Sequence, residues 1–439
     1  MIPVLSAFIG ILALAWGLNV AALDGGTASL PWLVREQGLY LSGLLAIGLM
    51  SLAMVLATRP AMLERPLGGM DRIFRLHKWA GILAAVFAAL HWLVEMSDDV
   101  IKSIYGRTGR PAHDEFGGLY ELLRDAGEEV GEFAIYLVLA MVVLSLWKRF
   151  PYKFWRHLHR AMPVFYLLLA FHAAVLAPPS YWTQPVGVLL ALLLAGGTVA
   201  SLIALTGRIG RHRKVQGVVT AMSSPAPDVT EIVCRLDDAW PGHQAGQFAF
   251  IGFERFEGAH PFTIASADHG NRSLTFQIKA LGDYTRQLAS RVAVGQAVTV
   301  EGPYGRFVLG RQDHTARQIW IAGGIGVTPF LAWLDALRAA PAAAPPVELH
   351  YSTRSAAQDP FVERLRSLCA ELPSVRLHIH DRAAGDELTP ERLAATATTG
   401  QRAEVWFCGP RGFGDQLKAG LARLWGRRLR FRREAFEMR

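Results

Sequence analysis

Six long apolar runs in the first half of the chain constrain its fold more than any other feature of the sequence. They lie near residues 2–22, 39–58, 73–96, 130–148, 155–177 and 184–207. About 20 helical residues cross the hydrocarbon core of a bilayer. Beyond residue 207, short apolar stretches alternate with Gly, Pro and charged residues, as they do in soluble domains. The sequence therefore predicts a six-span membrane bundle followed by a soluble half.

Basic residues predict the orientation of this bundle. They cluster in the second and fourth connections and after the sixth run, whereas the third connection is acidic. By the positive-inside rule, both termini and the soluble half are expected on the cytoplasmic side of the inner (plasma) membrane. The first run has no basic residue ahead of it, so we interpret it as a retained helix and not as a signal peptide. Contact with membrane lipid follows from the spans.

Net charge and cysteine content argue against three other classes of protein. The net charge of +8 comes largely from the basic residues beside the spans, so a nucleic-acid partner is not indicated. Cys234, Cys369 and Cys408 all lie in the soluble half without CxxC spacing. Neither a disulfide framework nor an iron–sulfur cluster is expected.

Four histidines inside the spans are the strongest candidates for a site, because ionisable groups at membrane depth usually face a bundle interior. His77 and His91 belong to the third span, and His159 and His172 to the fifth. Fourteen residues at about 1.5 Å each put His77 and His91 about 21 Å apart on nearly one helical face. Both spans run in the same direction, so His77 can pair with His159 and His91 with His172. Two six-coordinate haems stacked across the membrane require two such pairs.

The spacing of thirteen residues between His159 and His172 does not fit an ideal helix, because it turns the two side chains well over ~100° apart. Pro163 lies between them and can kink or locally unwind the helix, which would restore a common face. His157, at a spacing of fifteen, is the rival inner ligand. Geometry alone leaves both candidates open.

The soluble half shows two patterns in succession. Short strands at close intervals from about 215 to 311 predict a small antiparallel barrel, and HPFTIAS (260–266) lies between two of them. Further on, IAGGIGVTPF (321–330) reads as a strand, a Gly-rich turn and a helix start, which suits a pyrophosphate. Later strands alternate with helical patterns, which predicts an α/β domain with a parallel sheet. We expect domain limits of 1–210, 211–312 and 313–439.

The ordered motifs HPFTIAS, GPYG, GGIGVTP and FCGP resemble the ferredoxin-reductase-like flavin and nicotinamide module. Joined to six spans with paired histidines, the chain resembles the ferric reductase and NADPH oxidase family of bacterial type over about residues 40–439. The resemblance implies FAD, two haems b and NADPH as cofactors. It also favours His159 over His157, because Arg160 follows His159 as in the family's inner-haem helix.

For the flavin, the resemblance implies roles for residues of HPFTIAS and of IKALGDYT. His260 stands where the module has a basic residue near the flavin phosphates. Phe262 corresponds to an aromatic residue on the isoalloxazine, and Thr263 to a hydroxyl near the flavin ring. The remaining residues of these segments that are expected to bind FAD are Pro261, Ser266, Lys279, Gly282 and Thr285.

For the nicotinamide nucleotide, the resemblance implies binding at the Gly-rich loop and at the CGP element near the position of hydride transfer. Phe436 resembles the terminal aromatic that shields the flavin until nicotinamide displaces it, so Thr263, Cys408 and Phe436 are expected nearest the reaction. Arg354, assisted by Ser352, is suited to a 2′-phosphate, which favours NADPH and leaves NADH as the alternative. The loop and CGP residues are Gly323, Gly324, Gly326, Thr328, Pro329, Cys408, Gly409 and Pro410.

These roles imply electron flow from NADPH through FAD and two haems to a small acceptor beyond the membrane. In superoxide-producing members a His one turn beyond the outer ligand is typical, and Glu95 stands there in this chain. Arg35 is the Arg nearest to the outer half of a span. The long third connection, 97–129, suggests a cap over the outer haem that favours oxygen. A ferric chelate is the alternative acceptor.

A different class of protein also fits the six spans. Internal histidines occur in proton channels and transporters, with the soluble half then acting as a nucleotide sensor. A b-type haem absorption band in the purified protein distinguishes the two hypotheses.

Overall fold

The structure, a computed structural model, describes residues 2–23, 29–110, 117–147, 152–253, 258–313, 315–340, 346–395 and 401–434. Residue contacts divide the chain into two compact units, Met1–Gly210 and Arg211–Arg439. The first unit is helical, and the second holds two β-sheets. This is the predicted order of a membrane bundle, an antiparallel domain and an α/β domain.

The helices of the first unit follow the apolar runs. Among them, α2 packs against α4 and α9, and α6 packs against α8. The helices are α1 (Ile2–Ala21), α2 (Leu30–Ala57), α3 (Ala61–Leu67), α4 (Met70–Met96), α5 (Asp98–Tyr105), α6 (Leu119–Leu146), α7 (Tyr152–His159), α8 (Met162–Leu176) and α9 (Pro185–Leu205).

Five stretches of the described chain are long and apolar enough to cross a membrane: Ile2–Ala21, Leu30–Ala57, Met70–Tyr105, His157–Leu176 and Pro185–Leu205. The chain is therefore a membrane protein. The predicted fourth span lies in α6, which is not among these five. Glu128, Glu129 and Glu132 precede the apolar part of α6, 133–146, which is shorter than the ~20 residues of a typical span. The count of six stays a prediction.

The predicted fifth span is interrupted ahead of Pro163 and forms two helices, which is the local unwinding expected of that proline. Helix α7 ends at His159, and α8 begins at Met162 with Pro163 in its first turn. Proline lacks the N–H of a helical hydrogen bond, and its ring clashes with the carbonyl four residues earlier, here that of His159. The interruption therefore falls at Arg160 and Ala161, just ahead of the proline.

A buried hydrogen bond ties three helices of this unit together. Tyr166 of α8 is fully buried, and its hydroxyl lies 2.8 Å from Ser51 Oγ of α2. Gly197 of α9 leaves room for that hydroxyl, since a Cβ there would lie 2.1 Å from the Tyr166 oxygen. The three helices approach closely only with these side chains in place.

The first sheet of the second unit is the predicted antiparallel barrel. Its strands run in the order β4-β3-β6-β1-β2-β5, and all described pairs are antiparallel. A bridge between Ile264 and Phe276 brings the two edge strands together, which closes the sheet. The strands are β1 (Lys214–Ala226), β2 (Val229–Leu236), β3 (Phe248–Gly252), β4 (His260–Thr263), β5 (Ser273–Lys279) and β6 (Ala297–Tyr304), with α10 (Asp283–Arg291) between β5 and β6.

The second sheet is parallel, as predicted, with the order β11-β10-β7-β8-β9. The order reverses between β7 and β10, and ligands of such sheets bind at this point, beyond the carboxyl ends of the strands. The elements are β7 (Arg317–Gly323), α11 (Thr328–Ala339), β8 (Val347–Thr353), α12 (Pro360–Ala370), β9 (Val375–Asp381), α13 (Pro390–Ala395), β10 (Ala403–Cys408), α14 (Arg411–Trp425) and β11 (Leu429–Arg433).

One hydrophobic cluster spans the junction between the two sheets of this unit. Trp333 of α11 is fully buried, stacks on Phe307 at 5.0 Å and donates its indole N–H to the carbonyl of Ala245 at 2.9 Å. Phe307 and Ala245 belong to the segments around the barrel, whereas Trp320 and Trp406 come from the parallel sheet. Aromatic packing across the junction therefore fixes the barrel against the parallel sheet.

Candidate functional site

The structure brings the four span histidines together as two pairs. The ring centres of His77 and His159 are 6.0 Å apart with the planes at 89°, and those of His91 and His172 are 6.3 Å apart at 88°. One member of each pair lies on α4, and the partners lie at the end of α7 and on α8. The helix break ahead of Pro163 lets two residues thirteen apart face the same helix.

Three of these rings are fixed by backbone carbonyls. His77 Nδ1 lies 2.9 Å from the Ala53 oxygen, His91 Nδ1 2.9 Å from the Leu39 oxygen, and His172 Nδ1 2.8 Å from the Gly127 oxygen. A carbonyl only accepts, so each Nδ1 carries the proton and donates it. Each Nε2 therefore keeps its lone pair, which is the tautomer of a metal-binding histidine whose other nitrogen is held by the protein.

Two glycines make room for the outer pair of rings. A Cβ on Gly43 of α2 would lie 3.0 Å from His91 Cε1, and a Cβ on Gly131 of α6 would lie 2.4 Å from His172 Cε1. The second distance is far below van der Waals contact. Sequence reasoning missed both glycines and the three carbonyls, since only the packing of α2 and α6 shows which residues touch the histidines.

Each pair fits an iron ion between its two rings. Metal–imidazole bonds of about 2.0–2.1 Å, plus about 1.1 Å from each nitrogen to its ring centre, separate the two centres by about 6.3 Å. The observed separations are 6.0 and 6.3 Å. Two histidines at this distance are suited to the two axial positions of a haem.

The structure also distinguishes His157 from His159. The ring of His159 faces His77 and stacks on Trp155, with centres 4.8 Å apart and planes at 14°. His157 is exposed. It is therefore His159 that lies across from His77 in this fold.

In the barrel, the HPFT segment forms the edge strand β4. His260 stacks on Tyr284 of α10 at 4.1 Å with planes at 15°, Phe262 packs on the barrel core, and Thr263 is buried. Beyond the strand, Ser266 Oγ accepts from the Thr275 N–H at 3.1 Å. Pro261 pairs with Phe250 in the strand register and lacks the N–H that an interior strand needs.

The segment expected beside the FAD pyrophosphate lies at the start of α10, in the same region as His260. Gly282 precedes the helix, and Thr285 Oγ1 accepts from the N–H groups of Leu281 and Gly282 at 3.0 Å each. Lys279 Nζ lies 3.1 Å from a carboxylate oxygen of Asp228. A helix start beside a lysine is a suitable surface for phosphate groups.

The Gly-rich loop and the CGP element meet at the point where the strand order reverses. A Cβ on Gly326 would lie 2.3 Å from the Cys408 carbonyl oxygen, and one on Gly323 would lie 2.9 Å from Pro410 Cδ. Only glycine permits this approach. Gly324 has φ of 54°, in the left-handed region.

The remaining loop residues complete the turn into α11. Thr328 donates its hydroxyl to the Ile325 carbonyl at 2.5 Å, and Pro329 occupies the first turn of the helix. Gly409 is in the same contact, since a Cβ there would lie 3.1 Å from the Gly323 nitrogen. The N-terminus of α11 thus opens directly behind the glycines.

Cys408 is fully buried at the end of β10. Burial, and then the nearby carboxylate of Glu434, raise the pKa of its thiol well above the usual value. The thiol therefore stays protonated at neutral pH. Phe436, expected to shield the flavin, lies outside the described residues. Glu434, the last described residue, donates its backbone N–H to the Phe407 carbonyl at 3.3 Å.

Ser352 and Arg354 lie at the carboxyl end of β8. Ser352 pairs with Gly323 in the strand register, and Arg354 is exposed one position beyond the strand. Both residues thus share the sheet edge with the Gly-rich loop.

The position one turn beyond His91 carries an ion pair that sequence reasoning did not connect. Arg35 Nη2 lies 3.1 Å from Glu95 Oε2 and 3.5 Å from Asp98 Oδ1. Arg35 and Glu95 are 60 positions apart in the sequence. Only the packing of α2 on α4 shows that they are partners.

Two parts of this chain match known protein families. Residues 42–170 match the family described as ferric reductase like transmembrane component, and residues 219–308 match the FAD-binding domain family. Over these residues the chain is therefore similar to a ferric-reductase-like membrane component and to an FAD-binding domain.

Individual relatives cover parts of the chain. Ferric reduction oxidase 7 from Arabidopsis thaliana is 26% identical over 290 residues, 60% of this chain and 34% of that protein. The reductase component of phenol 2-monooxygenase from Pseudomonas sp. (strain CF600) is 30% identical over 115 residues, 26% of this chain and 32% of that protein. The chain thus spans about a third of these relatives' length.

Among solved structures, the FAD/NAD-binding domain of nitric oxide dioxygenase from Vibrio cholerae O1 biovar El Tor has a TM-score of 0.43 and 22% identity. The similarity covers 50% of this chain and 98% of that one.

Proposed function

We propose that this chain carries electrons from cytoplasmic NADPH, through FAD and two b-type haems, to an acceptor on the far side of the membrane. The proposal rests on the two histidine pairs, whose ring centres are 6.0 and 6.3 Å apart. When bound, FAD accepts a hydride from the nicotinamide, and FAD and haem together pass its electrons on one at a time.

In this proposal the four histidines are the axial ligands. His77 and His159 hold the inner haem, and His91 and His172 hold the outer haem. The carbonyls of Ala53, Leu39 and Gly127 orient three of the rings. With two histidine ligands for each haem, an acceptor would react at the edge of the group and not on its iron.

The second unit supplies the nucleotide sites. Residues 260–263 and the start of α10 hold FAD, with His260 and Lys279 as the basic side chains near its phosphates. The Gly-rich loop and the CGP element hold the nicotinamide nucleotide at the sheet edge. Ser352 and Arg354 recognise the 2′-phosphate, and this selects NADPH over NADH. Because its thiol is protonated, Cys408 contributes a neutral, buried side chain to the lining of this nucleotide site.

We further propose six spans with both ends cytoplasmic. The fourth span is the apolar second half of α6, which packs on α8 and α4. Its acidic first half then lies outside the bilayer, on the side of the acidic third connection. This topology places the reductase module on the side where NADPH is available.

Oxygen is the proposed acceptor, with superoxide as the product. The support is the way the third connection folds back on α2: Trp32 donates its indole N–H to the Gly106 carbonyl at 3.2 Å, and Ser29 donates its N–H to the Gly109 carbonyl at 2.9 Å. Arg110 lies over the Trp32 ring at 5.2 Å. This cover, close to the turn beyond His91, suits a small acceptor and restricts a bulky one.

A ferric chelate is the second candidate. Glu95 occupies the position one turn beyond His91, and its partner Arg35 also faces Asp98. Asp98 also accepts from Arg110 at 3.0 Å, so two guanidiniums balance the two carboxylates, and the histidine typical of superoxide-producing members is replaced by a carboxylate held in an ion pair. The similarity to ferric reduction oxidase 7 over 60% of this chain points the same way.

The test is NADPH oxidation by the detergent-purified protein supplemented with FAD, compared in air and without oxygen in the presence of a ferric chelate. Turnover in air with a superoxide-dismutase-sensitive signal supports oxygen as the acceptor. Turnover that needs the chelate, with little superoxide, replaces oxygen by the chelate. The absence of a b-type haem absorption band after haem-replete expression would overturn the electron path itself.

A further inference from the structure

A histidine cluster lies on β8 and β9, outside the sites described above. His350 of β8 pairs with His378 of β9 in the strand register, and His380 pairs with Ser352. The three side chains therefore share one face of the sheet. The rings stack, with centres 4.6 Å apart for His350 and His378 and 5.3 Å for His350 and His380.

Hydrogen bonds in this cluster fix the tautomer of His350. The carboxylate of Asp386 faces His380 Nδ1 at 3.4 Å and can only accept, so His380 carries its proton on Nδ1. His380 Nε2 then accepts from His350 Nδ1 at 3.0 Å. The proton of neutral His350 is therefore on Nδ1, and Nε2 has a lone pair. This relay resembles the carboxylate–histidine arrangement that orients metal ligands.

Two ring nitrogen atoms of the cluster that take no part in this chain of hydrogen bonds have no hydrogen-bond partner among the described residues. His350 Nε2 and His378 Nε2 are both buried and unpaired, and the His350 residue is 7% exposed. Buried polar atoms are nearly always satisfied by protein or by a bound species. Glu348 Oε2 lies 3.6 Å from His350 Nε2, too far for a hydrogen bond.

We propose that Glu348, His350 and His378 bind a divalent first-row transition-metal ion, with Zn²⁺ as the best fit. Two imidazoles and one carboxylate form a three-ligand set that zinc accepts, with an open fourth position. The three ligand atoms lie within 4.8 Å of one another. Ligands of a tetrahedral zinc ion are about 3.3 Å apart, close to the Glu348–His350 separation.

Binding requires a small rearrangement of the rings. His350 and His378 are nearly parallel, with planes at 11°, so their lone pairs run side by side and do not converge. The more exposed His378 ring would have to rotate about its Cβ–Cγ bond before its nitrogen could share an ion with His350. The hydrogen bond to His380 holds the His350 ring in place. His378 is therefore the ligand that moves.

Glu348 can serve the metal without leaving its ion pair. Arg317 donates to both of its oxygens, at 3.0 and 2.7 Å. A carboxylate has about four acceptor positions, so Oε2 can accept from Arg317 and also bind a metal. The guanidinium thus keeps the carboxylate directed at His350.

The experiment is equilibrium dialysis of the chelator-treated, full-length holoprotein against micromolar ZnCl₂, followed by elemental analysis and zinc X-ray absorption. We expect one Zn²⁺ per chain that is lost in His378→Gln. The relay variant His380→Gln should weaken binding by about 10–100-fold. His212→Gln, at an exposed histidine outside the cluster, is the matched control and should bind like the wild type.

FAD content and the midpoint of thermal unfolding establish that each variant folds. Glu348→Gln replaces His378→Gln if the latter is unfolded. Equal zinc binding by the wild type and a folded ligand variant would overturn the proposal. So would a wild type that binds no zinc under these conditions.

Discussion

The two histidine clusters of this chain use the same side chain at two different spacings. In the helical unit the paired rings are 6.0 and 6.3 Å apart and nearly perpendicular. On the parallel sheet they are 4.6 and 5.3 Å apart and nearly parallel. Helices pack about 8–10 Å apart, whereas neighbouring strands are about 4.8 Å apart. The larger distance between packed helices leaves room for an iron ion between two rings, and the smaller distance between strands does not.

The difference shows that secondary structure decides which metal group a histidine pair is suited to hold. Stacked rings on a sheet can offer a metal only their edges, so a single ion is the largest group that fits. Two rings that face each other from packed helices can lie on opposite faces of a macrocycle. Some rings of each cluster have Nδ1 fixed by a partner: a backbone carbonyl for His77, His91 and His172, and a second histidine for His350.

Of the substitutions that test this difference between the clusters, replacing a histidine of the outer pair should have the largest effect. We expect His91→Ala to lower the haem content from two per chain to one, because the remaining His172 cannot hold a six-coordinate haem alone. The pyridine haemochrome assay measures the content. His378→Ala and His157→Ala are the controls and should retain both haems. Two haems in His91→Ala would contradict the ligand assignment.

The glycine contact in the second unit tests whether its nucleotide site depends on backbone approach. In Gly326→Ala the new Cβ would lie 2.3 Å from the Cys408 carbonyl oxygen, so the loop must move. We expect a rise in KM for NADPH of at least about tenfold, equivalent to about 1.4 kcal/mol. Steady-state kinetics measure it. Gly412→Ala, with nothing within 4 Å of its Cβ, should leave KM unchanged.

A substitution at Gly131, the glycine beside His172, tests how precisely helix packing sets the position of the His172 ring. In Gly131→Ala the Cβ would lie 2.4 Å from His172 Cε1 and displace the ring from its carbonyl partner. We expect partial loss of the outer haem, or a shift in its reduction potential, seen in a spectroscopic redox titration. Gly81→Ala on α4 has open space and serves as the control. An unchanged titration in Gly131→Ala would show that the ring position is not critical.

The smallest effect is expected at the nucleotide-selecting position. Arg354→Ala should lower kcat/KM for NADPH by about tenfold and leave kcat/KM for NADH unchanged, because a charge-assisted hydrogen bond to the 2′-phosphate is lost. The two nucleotides are compared in parallel assays. Equal losses for both would indicate a structural role for Arg354.

Much of the fold could be predicted from residue patterns. Apolar runs gave the helices, and the strand motifs gave the antiparallel barrel followed by the parallel sheet. The fourteen-residue interval between His77 and His91 placed both on one face, because a helix repeats every 3.6 residues. The fourth span stays a prediction, since acidic residues shorten the apolar part of α6.

The tertiary structure decided which residues touch. No periodicity indicates that Gly131 faces His172, that Arg35 pairs with Glu95, or that Asp386 reaches His380. These residues are far apart in sequence or lie in loops, and their contacts depend on how helices and strands pack. The sequence by itself determined the elements and the histidines they carry, because these depend on local periodicity. Only packing decided the spacing between the rings, and with it the group that each cluster is suited to hold.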